Sequence, residues 1–180
     1  MIVNVSDAPA RVATLLAEHA AIDLDIGCGA NKQPGYIGID MRPLPGVDIV
    51  HDVEVYPWPL PDECVRRAVC SHLVEHINPH KGNFIKFMNE AWRVMKVGGE
   101  LMIATPHGYS PGYLQDPTHC NPCNEYTWAY FDPMETQARG ALYDIYKPKP
   151  WRIKYLSFSP SANIELILVK REERSDEQPG

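Results

Sequence analysis

Twenty residues constrain this chain more than any others: AIDLDIGCGANKQPGYIGID, positions 21 to 40. Ile22, Leu24 and Ile26 alternate with polar neighbours, as the side chains of a strand do. The run then enters Gly27-Cys28-Gly29, where two glycines let the backbone turn sharply and approach a ligand with no Cβ in the way. Tyr36-Ile37-Gly38-Ile39 reads as a second strand, closed by Asp40. A carboxylate at such a tip can accept both hydroxyls of a ribose, as the acid of dinucleotide-binding folds does.

Asp25-Ile26-Gly27-Cys28-Gly29 resembles the first motif of the class I S-adenosylmethionine (SAM) dependent methyltransferases, an acid and two spaced glycines after an apolar strand. LDIGCG with GIDM downstream is similar to the type-11 methyltransferase domain. The resemblance implies a Rossmann-like, doubly wound α/β fold. Its mostly parallel seven-strand sheet has an antiparallel last strand lying inside the preceding one. It implies SAM as cofactor, held by Asp25, Gly27, Cys28, Gly29, Asp40 and Met41. One departure stands out. Family members have a full helix between the turn and the second strand, whereas ANKQPG is too short for one and Pro34-Gly35 would break it. The methionine end of the cofactor therefore meets a loop. Lys32 in that loop reads as a solvated lysine, with a cofactor carboxylate as its alternative partner.

The chain has 180 residues, which suits a single domain over residues 1–170 followed by a charged, disordered tail over 171–180. The net charge of −6, with no basic block, argues against non-specific DNA binding. Five scattered cysteines (Cys28, Cys64, Cys70, Cys120, Cys123) fit free thiols in a reducing compartment. No apolar run approaches a membrane span, so a cytoplasmic protein is expected. The oligomeric state is not readable.

Further elements follow in order. Ser6 or Asp7 caps a helix whose Val12, Leu15, Leu16 and His19 share a face. Val47 to Val50 reads as a third strand, and Asp52-Val53 follows it. In the resembled family, an acid there takes the adenine amino group and the next backbone amide meets a ring nitrogen. Arg66 to Ser71 reads as the fourth strand, which the resemblance ends beside the transferring methyl, at Ser71 and His72. Residues 80–96 form a helix with the stripe Phe84, Phe87, Met88, Ala91 and Met95, ended by a cap at Gly98-Gly99. ELMIATP reads as the fifth strand. Residues 106–150 are irregular, with a short helix from Asn124 through Tyr130, and leave the sheet edge where open α/β folds place ligands. This is the expected acceptor pocket. Trp151 to Phe158 reads as an edge strand and Ile164 to Val169 as a buried one. Asp23, inside the first strand, has no evident partner.

Methyl transfer to a protonated nucleophile calls for a base, and a histidine suits it. His72, His76, His107 and His119 lie near the expected cleft; His119, in the pocket segment, is the preferred catalytic residue. Two metal sets compete with that reading. His72, Glu75 and His76 are spaced i, i+3, i+4. They are similar to the Glu-x-x-Glu-His of ubiquinone-pathway O-methyltransferases and small-RNA 2′-O-methyltransferases, which bind a divalent ion, but His72 stands where the first Glu belongs. His119, Cys120 and Cys123 lack a second CxxC for zinc. With neither set complete, activity without a metal is expected. A small-molecule O or N acceptor is favoured, with protein and RNA acceptors open. The alternatives in other classes are a nucleotide-dependent oxidoreductase, which lacks the third glycine of its motif, and a non-catalytic partner protein of the same fold.

Overall fold

A computed structural model describes residues 8–134 and 145–173. The Ser6 or Asp7 cap and residues 174–180 lie outside the described residues. Helix α1 (Ala8–Glu18) buries Val12 and sets Leu15 and Leu16 against the core, while His19 falls beyond its end and is exposed.

Seven strands make one sheet: β1 (Ile22–Ile26), β2 (Ile37–Asp40), β3 (Ile49–Val50), β4 (Val65–Ser71), β5 (Met95–Pro106), β6 (Trp151–Phe158) and β7 (Asn163–Lys170). Their order is β3-β2-β1-β4-β5-β7-β6. The first five are mutually parallel, and β7 runs antiparallel between β5 and β6. The expected sheet, including its inserted last strand, is the one observed. After β3 the chain returns past β1 to form β4, so strand order reverses between β1 and β4. Open α/β sheets bind ligands in the crevice at the carboxyl ends of strands at such a point.

No helix separates β1 from β2, as the short link requires. The turn is set by Gly27, whose φ of +70° excludes most side chains and whose added Cβ would lie 2.8 Å from Leu73 Cδ2. The glycine turn and the exit of β4 are thus packed against each other.

Helix α2 (Asn83–Val94) buries Phe84, Phe87, Met88 and Ala91, each large side chain contributing about 1.5–3 kcal/mol. Its boundary differs from expectation. The helix stops at Val94, and Met95 is already extended, as the first residue of β5. Gly98 and Gly99 do not cap it. Between the pairs Val65↔Met95 and Arg67↔Glu100, β5 carries three more residues than β4, and the left-handed Gly98 (φ +76°) sits in that bulge. Glycine marks a left-handed residue in both settings, and the strand pairing decides between them. Glu90, buried on α2, accepts from Trp58 N–H at 2.6 Å and from Arg93 at 2.6 Å, tying the proline-rich connector to the helix.

Asp23 has two partners. A register shift in β4 brings both Arg66 and Arg67 to it, with Nε of Arg66 2.7 Å and Nη2 of Arg67 2.5 Å from its carboxylate. Burial alone would raise its pKa; the two guanidiniums outweigh it and hold the carboxyl at about 2.

Candidate active site

The carboxyl ends of β1 to β4 carry the residues singled out in the sequence. All three amides of the glycine turn are already engaged. Those of Gly27 and Cys28 donate to Ile39 O, at 2.8 and 3.2 Å, and that of Gly29 donates to Asp40 Oδ2 at 2.8 Å. Asp40 Oδ1 accepts from the Arg42 amide at 2.8 Å and from Arg42 Nε at 3.3 Å. A carboxylate offers about four lone-pair positions, so these three contacts leave one. The Arg42 side chain is 63% exposed and its contact is the longest. Releasing it opens one acceptor position on each oxygen, the pair that a ribose diol needs.

Asp25 points into the same loop. Its Oδ2 accepts from the Gln33 amide at 2.7 Å. Burial pushes its carboxyl up, against that hydrogen bond and Lys32, which pull it down. Lys32 is neither solvated nor free for a cofactor carboxylate: Nζ lies 2.5 Å from Asp48 Oδ2, and Asp48 also accepts from the Gly38 amide at 2.8 Å. Cys28 is buried, and burial first, then Asp25 and Asp40, pushes its thiol up to about 11, so it stays protonated. Met41 is exposed beside Asp40. Asp52 Oδ1 accepts from the Glu54 amide at 2.9 Å. Val53 is buried, and its carbonyl is held by Trp58 Nε1 at 3.0 Å, which fixes the Asp52-Val53 backbone. Ser71 ends β4 exposed at the sheet edge.

Beyond Ser71 the backbone is strained. His72 has φ +52°, rare for a residue with a side chain and frequent where function needs one. A single helical turn, Val74–His76, follows. Here a cleft of about 460 Å³ opens, lined by His72, Glu75, His76, Asp116 and His119, with Pro106, Gly112, Gln115 and Asn163. Its far wall is the segment after β5, which carries the short helices α3 (Pro111–Leu114) and α4 (Glu125–Ala129). Ser110 caps α3 and Asn124 caps α4, the latter as expected.

The wall is fastened to the 74–76 turn at several points. The amides of Cys120 and Asn121 both donate to Glu75 O, at 2.9 and 3.0 Å. Asn121 Nδ2 donates to Val74 O at 2.9 Å. Thr118 Oγ1 lies 3.2 Å from His76 Nδ1. These contacts bring His119 beside His76, with ring centroids 4.7 Å apart. Of the four candidate histidines, His72, His76 and His119 line the cleft. His107 does not; it is buried against Glu125 at 3.1 Å. Neither metal set survives as a unit. Cys123 is buried behind the wall, and the grouping present among the described residues is Glu75, His76 and His119, whose ligand atoms all lie within 4.8 Å of one another. Joining these segments needed the hydrogen bonds of the wall, for which DPTH, with its Asp116–Thr118 turn, was the only local sign.

No family model matches the chain, and no curated protein matches it. Solved structures do. A SAM-dependent methyltransferase from Archaeoglobus fulgidus is 20% identical, covering 93% of this chain and 95% of its own, with a TM-score of 0.56. A 16S rRNA (adenine(1408)-N(1))-methyltransferase from Catenulisporales acidiphilia, crystallised with cosubstrate SAM, is 16% identical, with 93% of both chains covered and a TM-score of 0.54. The [4+2]-cyclase SpnF is 13% identical, covering 91% of this chain and 80% of its own, with a TM-score of 0.51. The likeness is one of fold: this chain has the Rossmann-like fold of the class I SAM-dependent methyltransferases. Among the described residues no helix is long and apolar enough to cross a membrane.

Proposed function

We propose that the protein binds S-adenosylmethionine at the ends of β1 to β4 and transfers its methyl group to a small-molecule acceptor in the adjoining cleft. The observation that carries this reading is the run Gly27–Gly29, Asp40, Asp52-Val53 and Ser71 along one sheet edge, at the reversal of strand order, opening directly on a cleft of ligand size. In this reading Asp40 takes the ribose hydroxyls, Asp52 the adenine amino group and the Val53 amide a ring nitrogen. Gly27, Cys28 and Gly29 shape the turn beneath, Asp25 holds the following loop in place, and Met41 covers the adenosine side. The cofactor supplies an activated methyl group, so the chain's own task is chiefly positioning. His119 faces the acceptor.

Two features favour this over a nucleotide-dependent oxidoreductase. A pyrophosphate needs free amides at a helix N-terminus. Here the turn's amides are consumed by Ile39 and Asp40, and no helix follows. The cleft supports a small, non-anionic acceptor. Among the described residues it is lined by Glu75 and Asp116 and by no Lys or Arg, a poor surface for phosphate backbones. Because a cyclase shares the fold, the fold alone does not fix the reaction. Titration calorimetry with SAM and with NAD tests the cofactor: SAM is expected to bind and NAD not. Labelled SAM incubated with cell extract, split into small-molecule, protein and RNA fractions, tests the transfer. Label confined to the RNA fraction overturns the acceptor class, and no SAM binding overturns the whole reading.

A further inference from the structure

We infer that Glu75, His76 and His119 form a site for a divalent first-row transition ion on the acceptor side of the cleft. In the methyltransferase reading, on which its use rests, that ion orients an acceptor oxygen.

His119 Nδ1 lies 2.8 Å from Tyr113 O. A carbonyl only accepts, so Nδ1 carries a proton, and in the neutral ring Nε2 is then the nitrogen with the lone pair. The same holds for His76 by a longer chain. Thr118 Oγ1 spends its own proton on Asp116 Oδ1 at 2.7 Å. Toward His76 Nδ1 it can only accept, so in the neutral ring His76 Nε2 is the nitrogen with the lone pair as well. Each imidazole has its Nδ1–H anchored, which in the neutral ring presents Nε2 as the ligating atom, and such anchoring is what orients metal-bound histidines.

Glu75 completes the set. It is 1% exposed. Its Oε2 accepts from Thr105 Oγ1 at 3.0 Å, and its Oε1 lies 3.2 Å from His72 Nδ1. Among the described residues no Lys or Arg pairs with it. A buried carboxylate without a lasting cation is costly, and an ion between it and the two imidazoles removes that cost. Asp116 Oδ2, 3.7 Å from His119 Nε2, adds negative charge at the rim.

Two imidazoles and one carboxylate suit zinc and its neighbours far better than magnesium or calcium, which take oxygen ligands. Three protein ligands leave a position open toward the cleft, the arrangement of sites that also take substrate. An oxygen acceptor fits that position better than a protonated amine. Tetrahedral ligands at bonds of about 2.1 Å lie about 3.4 Å apart, so the cluster closes by roughly 1 Å on loading. The 116–121 segment, fastened by hydrogen bonds, takes up that movement. In this arrangement His119 would hold the ion rather than take the acceptor's proton; a hydroxyl made more acidic by the ion would release that proton to solvent as its oxygen takes the methyl group from the sulfonium.

The test uses the full chain, dialysed against a strong chelator and titrated with Co²⁺ and Zn²⁺, while SAM binding is measured separately by calorimetry. Wild type is expected to take one equivalent, with visible Co²⁺ bands of a four- or five-coordinate site and no thiolate charge-transfer band. H119A and H76A, neither of which empties the core, should each weaken binding on the order of 100-fold, and T118A about ten-fold through the lost anchor. SAM affinity should be unchanged in all three. No stoichiometric Co²⁺ or Zn²⁺ binding, unchanged affinity in H119A and H76A, or a thiolate band pointing to Cys120 would each overturn the site. Metal binding without SAM binding leaves the site standing and overturns the methyltransferase reading; the reverse result does the opposite.

Discussion

On the glycine-turn side, the amides of Gly29 and Gln33 reach carboxylates eleven and eight residues away. On the cleft side, Thr118 reaches His76 across 42 residues and Asn121 reaches Val74 across 47. The first region is a preformed seat whose glycine-turn amides are all spent on itself. The second is a wall laid against a turn, setting His119 beside His76 at the cleft. A seat of the first kind fixes where a ligand sits and tolerates little movement. A wall of the second kind can change its chemistry with a few substitutions while the seat stays intact. Four substitutions probe that division.

The largest effect is expected from the wall. His119→Ala should slow methyl transfer on the order of 10²-fold or more, whether the imidazole holds an ion or a proton, with SAM affinity within about two-fold. Labelled-methyl turnover beside calorimetry reads both; unchanged turnover removes His119 from the reaction. Asp40→Ala attacks the seat. Charge-assisted hydrogen bonds are worth ~1.5–3 kcal/mol each, so SAM should bind roughly 10- to 100-fold more weakly. Because Asp40 also holds the Gly29 and Arg42 amides, the unliganded melt should fall too. A lower melt with equal SAM affinity would leave Asp40 a turn-holder only.

Asp23→Asn tests whether the two sides are separable from the sheet beneath them. It should lower stability at neutral pH by about 1–2 kcal/mol, as a buried charged acceptor is lost, with cofactor and metal binding unchanged. The folded carboxyl titrates at about 2, below its ordinary 3.8. Its stabilisation is therefore fully present above about pH 4 and is lost as pH falls toward 2. Melts of both proteins across that window should converge at the acid end; a gap that persists there points to packing rather than charge. The smallest effect is expected at Arg42. Arg42→Ala frees Asp40 Oδ1, and an exposed pair is weak, so SAM should bind about two- to three-fold more tightly. Weaker binding would place the Arg42 guanidinium on the ligand instead.

The same contrast governs what the sequence can tell. The β1 turn and Asp40 are legible because glycine, alternation and a terminal acid act over a few residues. The absent helix between β1 and β2 is legible for the same reason, since six residues ending in Pro-Gly leave no alternative. Gly98-Gly99 misleads because a left-handed glycine serves a helix end and a strand bulge equally, and only the pairing of β5 with β4 chooses. Arg66 and Arg67 are plain in the sequence, yet their claim on Asp23 depends on a register shift that periodicity does not encode. Glu75 and His76 are visible as a pair, and His119 is visible as a pocket histidine. Their meeting depends on the Cys120 and Asn121 amides finding Glu75 O, a contact between segments with no shared pattern.

That double attachment has a kinetic side. Two amides on one carbonyl, with three side-chain contacts nearby, form a small cooperative unit, and such units open far more often than a whole domain unfolds. In the proposed reaction, acceptor entry and product exit would then occur by swinging residues 116–121 away from the 74–76 turn while β1 to β5 stay paired. Hydrogen exchange at Cys120 and Asn121 should be faster than at β4, and slower once an ion ties His119 to Glu75. If release limits turnover, the rate follows the lifetime of these few bonds rather than the speed of bond making.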